Sequence, residues 1–287
     1  MYKDDWDIQK RVEAHVKEVQ ETHKYDGVEM FVCAANGSMN YGLFDESSDV
    51  DTKMLVFPEL DDLFIDRKSI NKVEVLANNE HCTLKDIRDY FRIFRKANIN
   101  FLEILCTDYV YVNPVYKNEW NLLCSKVDEI ANLNPHKVLA SSLGMAREKA
   151  SKICHDSPAN HELIEKHGYV AKELQHIIRL YNFIFKYCSG VPFSKAIRVN
   201  SHKVRDEMMD IKRYRISLTP EEAKARCDEY VHNMKAIIED AESEKPSFTF
   251  GVPKENIAAN DFLDNFLVNI MTKYTEREIA NGSLSNY

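Results

Sequence analysis

Short apolar runs dominate the first 115 residues of the chain. Four of them have the length of β-strands, near residues 28–35, 49–57, 71–77 and 99–112. A helical period predicts an amphipathic helix from Asp4 to about His23 and a second helix at 84–96, with Thr83 as its cap. Pro114 has no N–H to donate to a sheet and marks the end of the last strand.

Beyond residue 115 the apolar period is helical almost throughout. Helices are predicted at 116–131, 136–154, 160–188, 203–213, 220–242 and 260–280. The helix at 220 has the clearest start, because Thr219 can cap it and Pro220 suits a first turn. An exposed loop is predicted at 243–253, where Pro246 and Ser247 interrupt the pattern. The sequence therefore predicts an α+β fold, with a small mixed-sheet domain at 1–115 and a helical domain at 116–287.

The segment between the first two predicted strands carries the strongest candidate chemistry. Gly37 and Ser38 predict a tight turn into a short helix, and Asp49 and Asp51 flank one valine on the next strand. Side chains two residues apart on a strand point to the same face, so the two carboxylates can converge. A carboxylate pair suits a hard divalent cation such as Mg²⁺. A glycine turn at a helix start suits a phosphate group.

Each half of this pattern also has an ordinary explanation. Asp-x-Asp pairs are common on solvated strand edges, and Gly-Ser occurs in many turns. Their joint occurrence between two apolar strands favours phosphoryl or nucleotidyl transfer.

Glu103 is the one acid in the apolar segment 98–107, which is predicted to be a strand. A carboxylate in such surroundings is costly to bury unless it meets a partner or a metal ion. On the open face of an edge strand it would meet only water, and this alternative stays open. With two carboxylates predicted nearby, Glu103 is a candidate third acid of the same site.

Lys172, His176 and Arg179 are separated by four and three residues, so they share one face of the predicted helix 160–188. This basic stripe could meet a triphosphate from across a cleft. The alternative is a set of ordinary solvated charges, which Glu173 beside Lys172 would support.

The motifs resemble those of the DNA polymerase beta superfamily of nucleotidyltransferases, and within it the RNA repair pathway type. The Gly-Ser, Tyr-Gly and Ser-Asp-x-Asp elements appear as Gly37-Ser38, Tyr41-Gly42 and Ser48-Asp49-Val50-Asp51. The later elements appear as Asn98, Asn100, Glu103 and Leu105, and as Lys172, His176 and Arg179. The superfamily at large more often has aspartate as its third carboxylate, whereas the narrower family has glutamate, as here.

The resemblance implies an enzyme that transfers a nucleoside monophosphate from a nucleoside triphosphate to an acceptor hydroxyl and releases pyrophosphate. Asp49, Asp51 and Glu103 would be its catalytic carboxylates and would bind two Mg²⁺ ions, with Mn²⁺ as the alternative metal. Glu103 could be a metal ligand, the base that takes the proton from the acceptor hydroxyl, or both.

Nucleotide binding is assigned by the same resemblance to six residues, which are Gly37, Ser38, Tyr41, Lys172, His176 and Arg179. Tyr41 would pack against the base or sugar, or alternatively secure the turn as a core aromatic. The pattern fits ATP, CTP, GTP and UTP equally.

Composition agrees with a cytoplasmic enzyme without a membrane segment. No apolar run approaches the ~20 residues that span a bilayer. Residues 1–6 are charged and lack a signal-peptide core. The seven cysteines contain no Cys-x-x-Cys pair, and Cys33, Cys106 and Cys188 are predicted to fill the core. These features favour a reducing compartment and disfavour zinc.

The resemblance implies that the acceptor is an RNA end of a tRNA-like kind, because the resembling family acts in RNA repair. The chain has 38 basic and 46 acidic residues, a formal charge of −8, which disfavours broad nonspecific binding to nucleic acid. The stretches 85–96 and 202–215 could supply local positive surfaces, or could be mixed solvated helix faces.

Two other functions stay open. The acceptor could be a protein side chain or a small-molecule hydroxyl, with the same chemistry. Alternatively, the chain could be a nucleotide- or RNA-binding module without catalysis, although three acids have little use in such a module. No particular oligomeric state is predicted.

Overall fold

A five-stranded mixed sheet forms the centre of the first half of the protein. The computed structural model describes residues 7–22, 24–25, 27–65, 69–243 and 249–282. The predictions for residues 1–6 and for Pro246 and Ser247 lie outside these residues.

The strands are β1 (Met30–Ala35), β2 (Thr52–Val56), β3 (Asn71–Val75), β4 (His81–Asp86) and β5 (Val110–Val112). Their order in the sheet is β3-β4-β2-β1-β5. β1 pairs antiparallel with both β2 and β5, and β3 pairs antiparallel with β4. β2 and β4 are parallel, with Thr52 opposite Cys82 and Val56 opposite Asp86. β1 and β2 are buried along their whole length, as expected for central strands, and the buried residues of β2 include Thr52 and Lys53.

Fourteen α-helices lie in the described residues. The first seven are α1 (Ile8–Glu21), α2 (Ser38–Tyr41), α3 (Leu60–Phe64), α4 (Ile87–Phe94), α5 (Ile99–Leu102), α6 (Lys117–Ser125) and α7 (Val127–Ala131). The other seven are α8 (Pro135–Lys152), α9 (His161–His167), α10 (Ala171–Cys188), α11 (Phe193–Ala196), α12 (His202–Lys212), α13 (Pro220–Ala241) and α14 (Ala258–Ala280). Short 3₁₀ helices occupy Glu103–Cys106 and Pro114–Tyr116. None of the described helices combines the length and the apolar character needed to cross a bilayer.

The predicted α+β class is confirmed, and the local starts and stops of several elements are as expected. Thr219 accepts from the N–H of Glu222 while the Glu222 side chain accepts from the N–H of Thr219, which is a capping box at the start of α13. The core role predicted for Cys33, Cys106 and Cys188 is confirmed by their burial.

The predicted strand at 99–112 is wrong over most of its length. Asn98 caps α5 by accepting from the N–H of Asn100, and this local hydrogen bond starts a helix where the apolar pattern alone suggests a strand. Only Val110–Val112 forms the strand β5.

The strand β4 is absent from the prediction, which began a helix at residue 84. Residues 82–86 of β4 pair in parallel with β2. The helix α4 therefore starts at Ile87, and its N-cap is Asp86 rather than Thr83. Parallel pairing depends on a partner distant in sequence, and local propensity does not reveal it.

The predicted helix 160–188 is two helices. Gly168 has φ +74° and ends α9 in the left-handed conformation, and α10 begins three residues later.

The chain forms two compact units, and they divide it differently from a boundary at residue 115. The sheet unit consists of the described residues of Met1–Asn40, Asp45–Leu133 and Asn256–Tyr287, and the helical unit of those in Tyr41–Phe44 and Asn134–Glu255. The C-terminal helix α14 belongs to the sheet unit, where Phe266 stacks on Phe91 and Tyr274 stacks on Phe57. In the helical unit, α10 is the central helix and packs against α8, α12 and α13.

The close packing around Gly168 predicts that an alanine at this position destabilises the protein. A Cβ at this position would lie 2.4 Å from Cγ of Pro220, whereas at Gly190, with φ +80°, it would meet no described atom within 4 Å. Both substitutions carry the left-handed penalty of about 1–2 kcal/mol. We expect Gly168→Ala to lower the free energy of unfolding by about 1–3 kcal/mol more than Gly190→Ala in urea denaturation. Equal losses would contradict the contact with Pro220.

Candidate functional site

The turn at Gly37 lies where β1 passes into α2. Gly37 has φ +74°, a backbone conformation that favours glycine, and a Cβ there would meet no described atom within 4 Å. Its N–H donates to Oε1 of Glu103 at 3.0 Å. Ser38 is the first residue of α2 and is half-buried. The predicted turn into a short helix is confirmed, and its N–H groups at the helix start have no acceptor within α2.

Asp49 and Asp51 lie in the loop that leads into β2, just before the strand rather than on it. The carbonyl oxygen of Asp51 accepts from the N–H of Asn36 at 3.0 Å, so Asp51 lies opposite the residue before Gly37. Oδ1 of Asp51 accepts from the N–H of His81 at 3.1 Å. Asp49 is exposed. Burial lowers the pKa of Arg11, and the negative charge of Asp49 opposes this effect, which places the two charges near each other.

Glu103 begins a 3₁₀ helix and is only 1% exposed. Besides the Gly37 N–H, it has the ammonium group of Lys53 at 3.7 Å from Oε1. Lys53 is itself buried, donates to the carbonyl oxygen of Asn100 and lies 4.7 Å from the ring centre of Phe101. Burial lowers the pKa of Lys53, whereas the negative charges of Glu103 and Asp51 raise it. The expectation that a buried Glu103 needs a partner is therefore met by Lys53 and Gly37, neither of which the sequence identified in that role.

The donor set fits a metal ion only in part. Among the residues that the structure describes, no group of three or more His, Cys, Asp or Glu side chains could hold a metal ion. The predicted set of Asp49, Asp51 and Glu103 is not among such groups, and Oε1 of Glu103 accepts from the N–H of Gly37 and lies 3.7 Å from the ammonium group of Lys53. Asp49 and Asp51 retain the oxygen-ligand chemistry that suits Mg²⁺ or Mn²⁺. The metal itself stays a prediction.

Three side chains that the sequence analysis missed surround the aspartate loop. Glu80 is 2% exposed and bonds to Arg11, His15 and the N–H of Val50. His15 also bonds to the hydroxyl of Thr52 at 3.0 Å. No local pattern in the sequence indicates this set, because Glu80 lies 65 residues from His15 along the chain.

In the helical unit, Lys172, His176 and Arg179 do lie on one face of α10. Lys172 is exposed, His176 half-buried and Arg179 only 5% exposed. The Arg179 guanidinium lies 3.9 Å from the ring centre of Tyr41, the last residue of α2. Its Nε and Nη1 are buried and have no hydrogen-bond partner in the described part of the chain. A buried cation without an anionic partner is costly, and the aromatic face offsets part of that cost.

The pKa of His176 responds to the positive charge on this face of α10. Its pKa lies well below the ordinary value, first because of burial and then because of the positive charges of four nearby residues, which are Arg179, Lys149, Lys172 and Lys212. His176 is therefore neutral at pH 7, and the positive charge comes from the lysines and Arg179. Lys149 and Lys212, on α8 and α12, were not expected here. Lys149 is partly neutralised by Glu173 at 2.9 Å.

The two basic stretches proposed as RNA surfaces are largely engaged within the protein. In 85–96, Arg88, Arg92 and Arg95 pair with Asp86, Asp89 and Asp264. In 202–215, Arg205 donates to the carbonyl oxygens of Gly42 and Phe44, and Arg215 pairs with Asp210. These contacts favour the alternative of mixed helix faces for both stretches.

A protein-family model matches most of the chain. The family model described as RlaP, RNA repair pathway DNA polymerase beta family, matches residues 8–265. No curated protein matches the sequence. A nucleotidyltransferase-like protein from Exiguobacterium sibiricum 255-15 is similar in structure at 12% identity and a TM-score of 0.28, with 79% of this chain and 73% of that chain covered.

His15 predicts a pH dependence of stability. Burial, and then the charge of Arg11, lower the pKa of His15 from 6.5 to about 4, although Asp51 opposes the change. The unfolded chain takes up this proton below about pH 6.5 and the folded protein only near pH 4, so the contribution of neutral His15 is complete above pH 6.5 and is lost on acidification. This contribution of His15 to the free energy of unfolding is about 3 kcal/mol.

The measurement is urea denaturation of the wild type and of His15→Gln, which keeps a donor and an acceptor at this position. We expect the free energy of unfolding to fall more steeply from pH 6.5 to pH 4 in the wild type. Parallel curves for the two proteins would show that His15 does not cause the effect.

Proposed function

This chain belongs to the RNA repair pathway DNA polymerase beta family, and from that premise we propose that it is a metal-dependent nucleotidyltransferase. The family is a DNA polymerase beta-like nucleotidyltransferase family linked to RNA repair. The reaction proposed for this chain is the transfer of a nucleoside monophosphate from a nucleoside triphosphate to an acceptor hydroxyl. The acceptor oxygen forms a bond to the α-phosphorus, the bond to the pyrophosphate oxygen breaks, and the hydroxyl proton leaves to a base or to water.

One hydrogen bond carries the proposal. The N–H of Asn36 donates to the carbonyl oxygen of Asp51, and this bond fixes the aspartate loop beside the Gly37 turn. A phosphate-binding turn and a carboxylate pair in adjacent positions are what phosphoryl chemistry requires, because charge on the phosphates and on the departing oxygen must be neutralised together. Neither element alone would support the proposal.

The residues of the sheet unit have separate tasks. The turn at Gly37 has open space in front of it, where the β- and γ-phosphates are proposed to bind with the hydroxyl of Ser38. Asp49 and Asp51 would hold the divalent ion, which when bound neutralises charge on the phosphates and on the departing oxygen. Glu103 holds the Gly37 turn through its N–H. A role of Glu103 as third ligand or as base would require it to give up its contacts with Lys53 and Gly37.

Within the helical unit, the basic face of α10 is proposed to bind the polyphosphate of a nucleoside triphosphate. Lys172 is exposed, and Arg179 has two buried nitrogen atoms without a partner in the described residues. Lys149 and Lys212 add charge close to His176. Such a concentration of positive charge favours a polyphosphate anion. Tyr41 holds the Arg179 guanidinium by a cation–π contact, which supports a positioning role for this tyrosine over contact with the base.

The proposed acceptor is an RNA end, on the strength of the family. The two basic stretches considered in the sequence do not add support, since most of their arginines pair with carboxylates or bind backbone carbonyls within the protein. Incubation with labelled nucleoside triphosphates and separate pools of RNA, protein and metabolites decides the acceptor. Label in RNA supports the proposal, and label only in protein or in a small molecule assigns the same chemistry to a different acceptor.

We expect Asp49→Asn and Asp51→Asn each to lower pyrophosphate release by on the order of 10³-fold, since each removes a charged ligand. The exposed Asp49 leaves the free energy of unfolding within about 0.5 kcal/mol of the wild type. Glu46→Gln removes an exposed acid from the same loop and is the matched control. Undiminished release by both aspartate variants would defeat the assignment.

Lys172 offers a test of the triphosphate contact. We expect Lys172→Met to raise KM for the nucleoside triphosphate about 10-fold, because a charge-assisted contact is lost. Lys166→Met, at an exposed lysine of α9, should leave KM unchanged. Binding of the triphosphate should also raise the pKa of His176, measured by NMR, because the anion offsets the positive charges around it. A KM and a His176 pKa that do not respond would place the triphosphate elsewhere.

A further inference from the structure

The loop that carries the two aspartates is held from the side opposite Gly37 by a buried carboxylate. Glu80 is 2% exposed, and its two oxygens receive donors from four residues. The donors are the guanidinium of Arg11, Nε2 of His15, the N–H of Val50 and the side-chain amide of Asn78.

This arrangement requires an ionised carboxylate. Three of the four groups, the Arg11 guanidinium, the Val50 N–H and the Asn78 amide nitrogen, can only donate, so a side chain at residue 80 that replaces one acceptor oxygen by a donor cannot satisfy them all. Because Glu80 accepts hydrogen bonds, it determines which ring nitrogen of His15 carries the hydrogen. Nε2 carries the proton and donates to Glu80 at 2.9 Å, and Nδ1 accepts from the Thr52 hydroxyl at 3.0 Å.

The hydrogen bonds between Glu80 and Val50 and between His15 and Thr52 hold the residues on either side of Asp51. Val50, which Glu80 holds, precedes Asp51, and Thr52, which His15 holds, follows it. His81, next to Glu80, donates its N–H to the Asp51 carboxylate, with the ring Nδ1 3.2 Å from the same oxygen. Arg11 adds a longer bond, 3.4 Å from Nη1 to the carbonyl oxygen of Ser48. The backbone is thus held on both sides of Asp51, while the Asp49 carboxylate is left exposed to solvent.

We infer that Glu80 is a positioning residue, which fixes the backbone between Asp49 and Asp51 so that the two carboxylates are held ready for a divalent cation. His15 and Arg11 pair with Glu80 and also bond directly to the segment around Asp51, at Thr52 and Ser48. The inference rests on the proposed function for the identity of the cation. The hydrogen bonds by which Glu80 holds the loop do not depend on that function. Residues that orient ligands in this way commonly change metal affinity or activity by 10–100-fold when they are lost.

The test compares two buried carboxylates, one just before β4 and one at the end of β4. Glu80 directly precedes β4, and Asp86 ends it, 1% exposed and paired with Arg88 at 2.6 Å. Asp86 lies opposite Val56, at the other end of β2 from Asp51. Glu80→Gln and Asp86→Asn therefore both remove the charge of a buried acid that pairs with an arginine, and only the first touches the aspartate loop.

Two measurements are made on both variants. Amide hydrogen exchange of the peptide spanning 48–52 should become at least 10-fold faster in Glu80→Gln and stay as in the wild type in Asp86→Asn. Titration with Mn²⁺ or Mg²⁺ should show 10–100-fold weaker apparent affinity in Glu80→Gln only, with pyrophosphate release partly restored at high metal concentration. A residue that merely supports the fold would not shift the metal dependence.

The inference is overturned if Glu80→Gln behaves like Asp86→Asn in both measurements. If Glu80→Gln does not fold, Arg11→Lys weakens the same pairing, because lysine lacks the planar fork, and should give the same pattern at smaller amplitude. If the wild type neither binds Mn²⁺ nor releases pyrophosphate, the proposed function fails, and exchange at 48–52 still decides whether Glu80 holds the loop.

Discussion

A carboxylate that leaves water must be surrounded by donors, and this requirement shapes one end of the sheet. Oε1 of Glu103 accepts from the N–H of Gly37 and lies 3.7 Å from the ammonium group of Lys53, and Glu80 pairs with Arg11, His15 and the N–H of Val50. In each case one donor is a backbone N–H of a loop. Each of the two buried acids therefore holds one loop, and on the second of these loops the Asp49 carboxylate is exposed to solvent.

The division between buried and exposed acids changes the picture of the site. Three carboxylates were expected to act together, whereas in the structure Asp49 is exposed, Asp51 is half-buried and Glu103 is buried. The same separation occurs on α10. Lys172 is open to solvent, His176 is neutral, and Arg179 is buried against Tyr41. In both units, burial rather than residue type decides which group carries an accessible charge.

Sequence reasoning succeeded where the information is local. The Gly37 turn, the short helix after it, the capping box at Thr219 and the common face of Lys172 and Arg179 follow from spacing and turn chemistry over a few residues. It failed where pairing is remote. The strand β4 was missed because its partner is β2, and the segment after Asn98 was taken for a strand because its apolar pattern has no clear period.

The sequence by itself determined the fold class, the family and the order of the motifs, because periodicity and motif spacing are written in consecutive residues. Only the tertiary structure decided that Glu103 meets Lys53, that Glu80 and His15 hold the aspartate loop, and that α14 returns to the sheet unit. Each of these contacts joins segments tens of residues apart or more. Their energies depend on burial and on hydrogen-bond geometry, which exist only once the chain has folded.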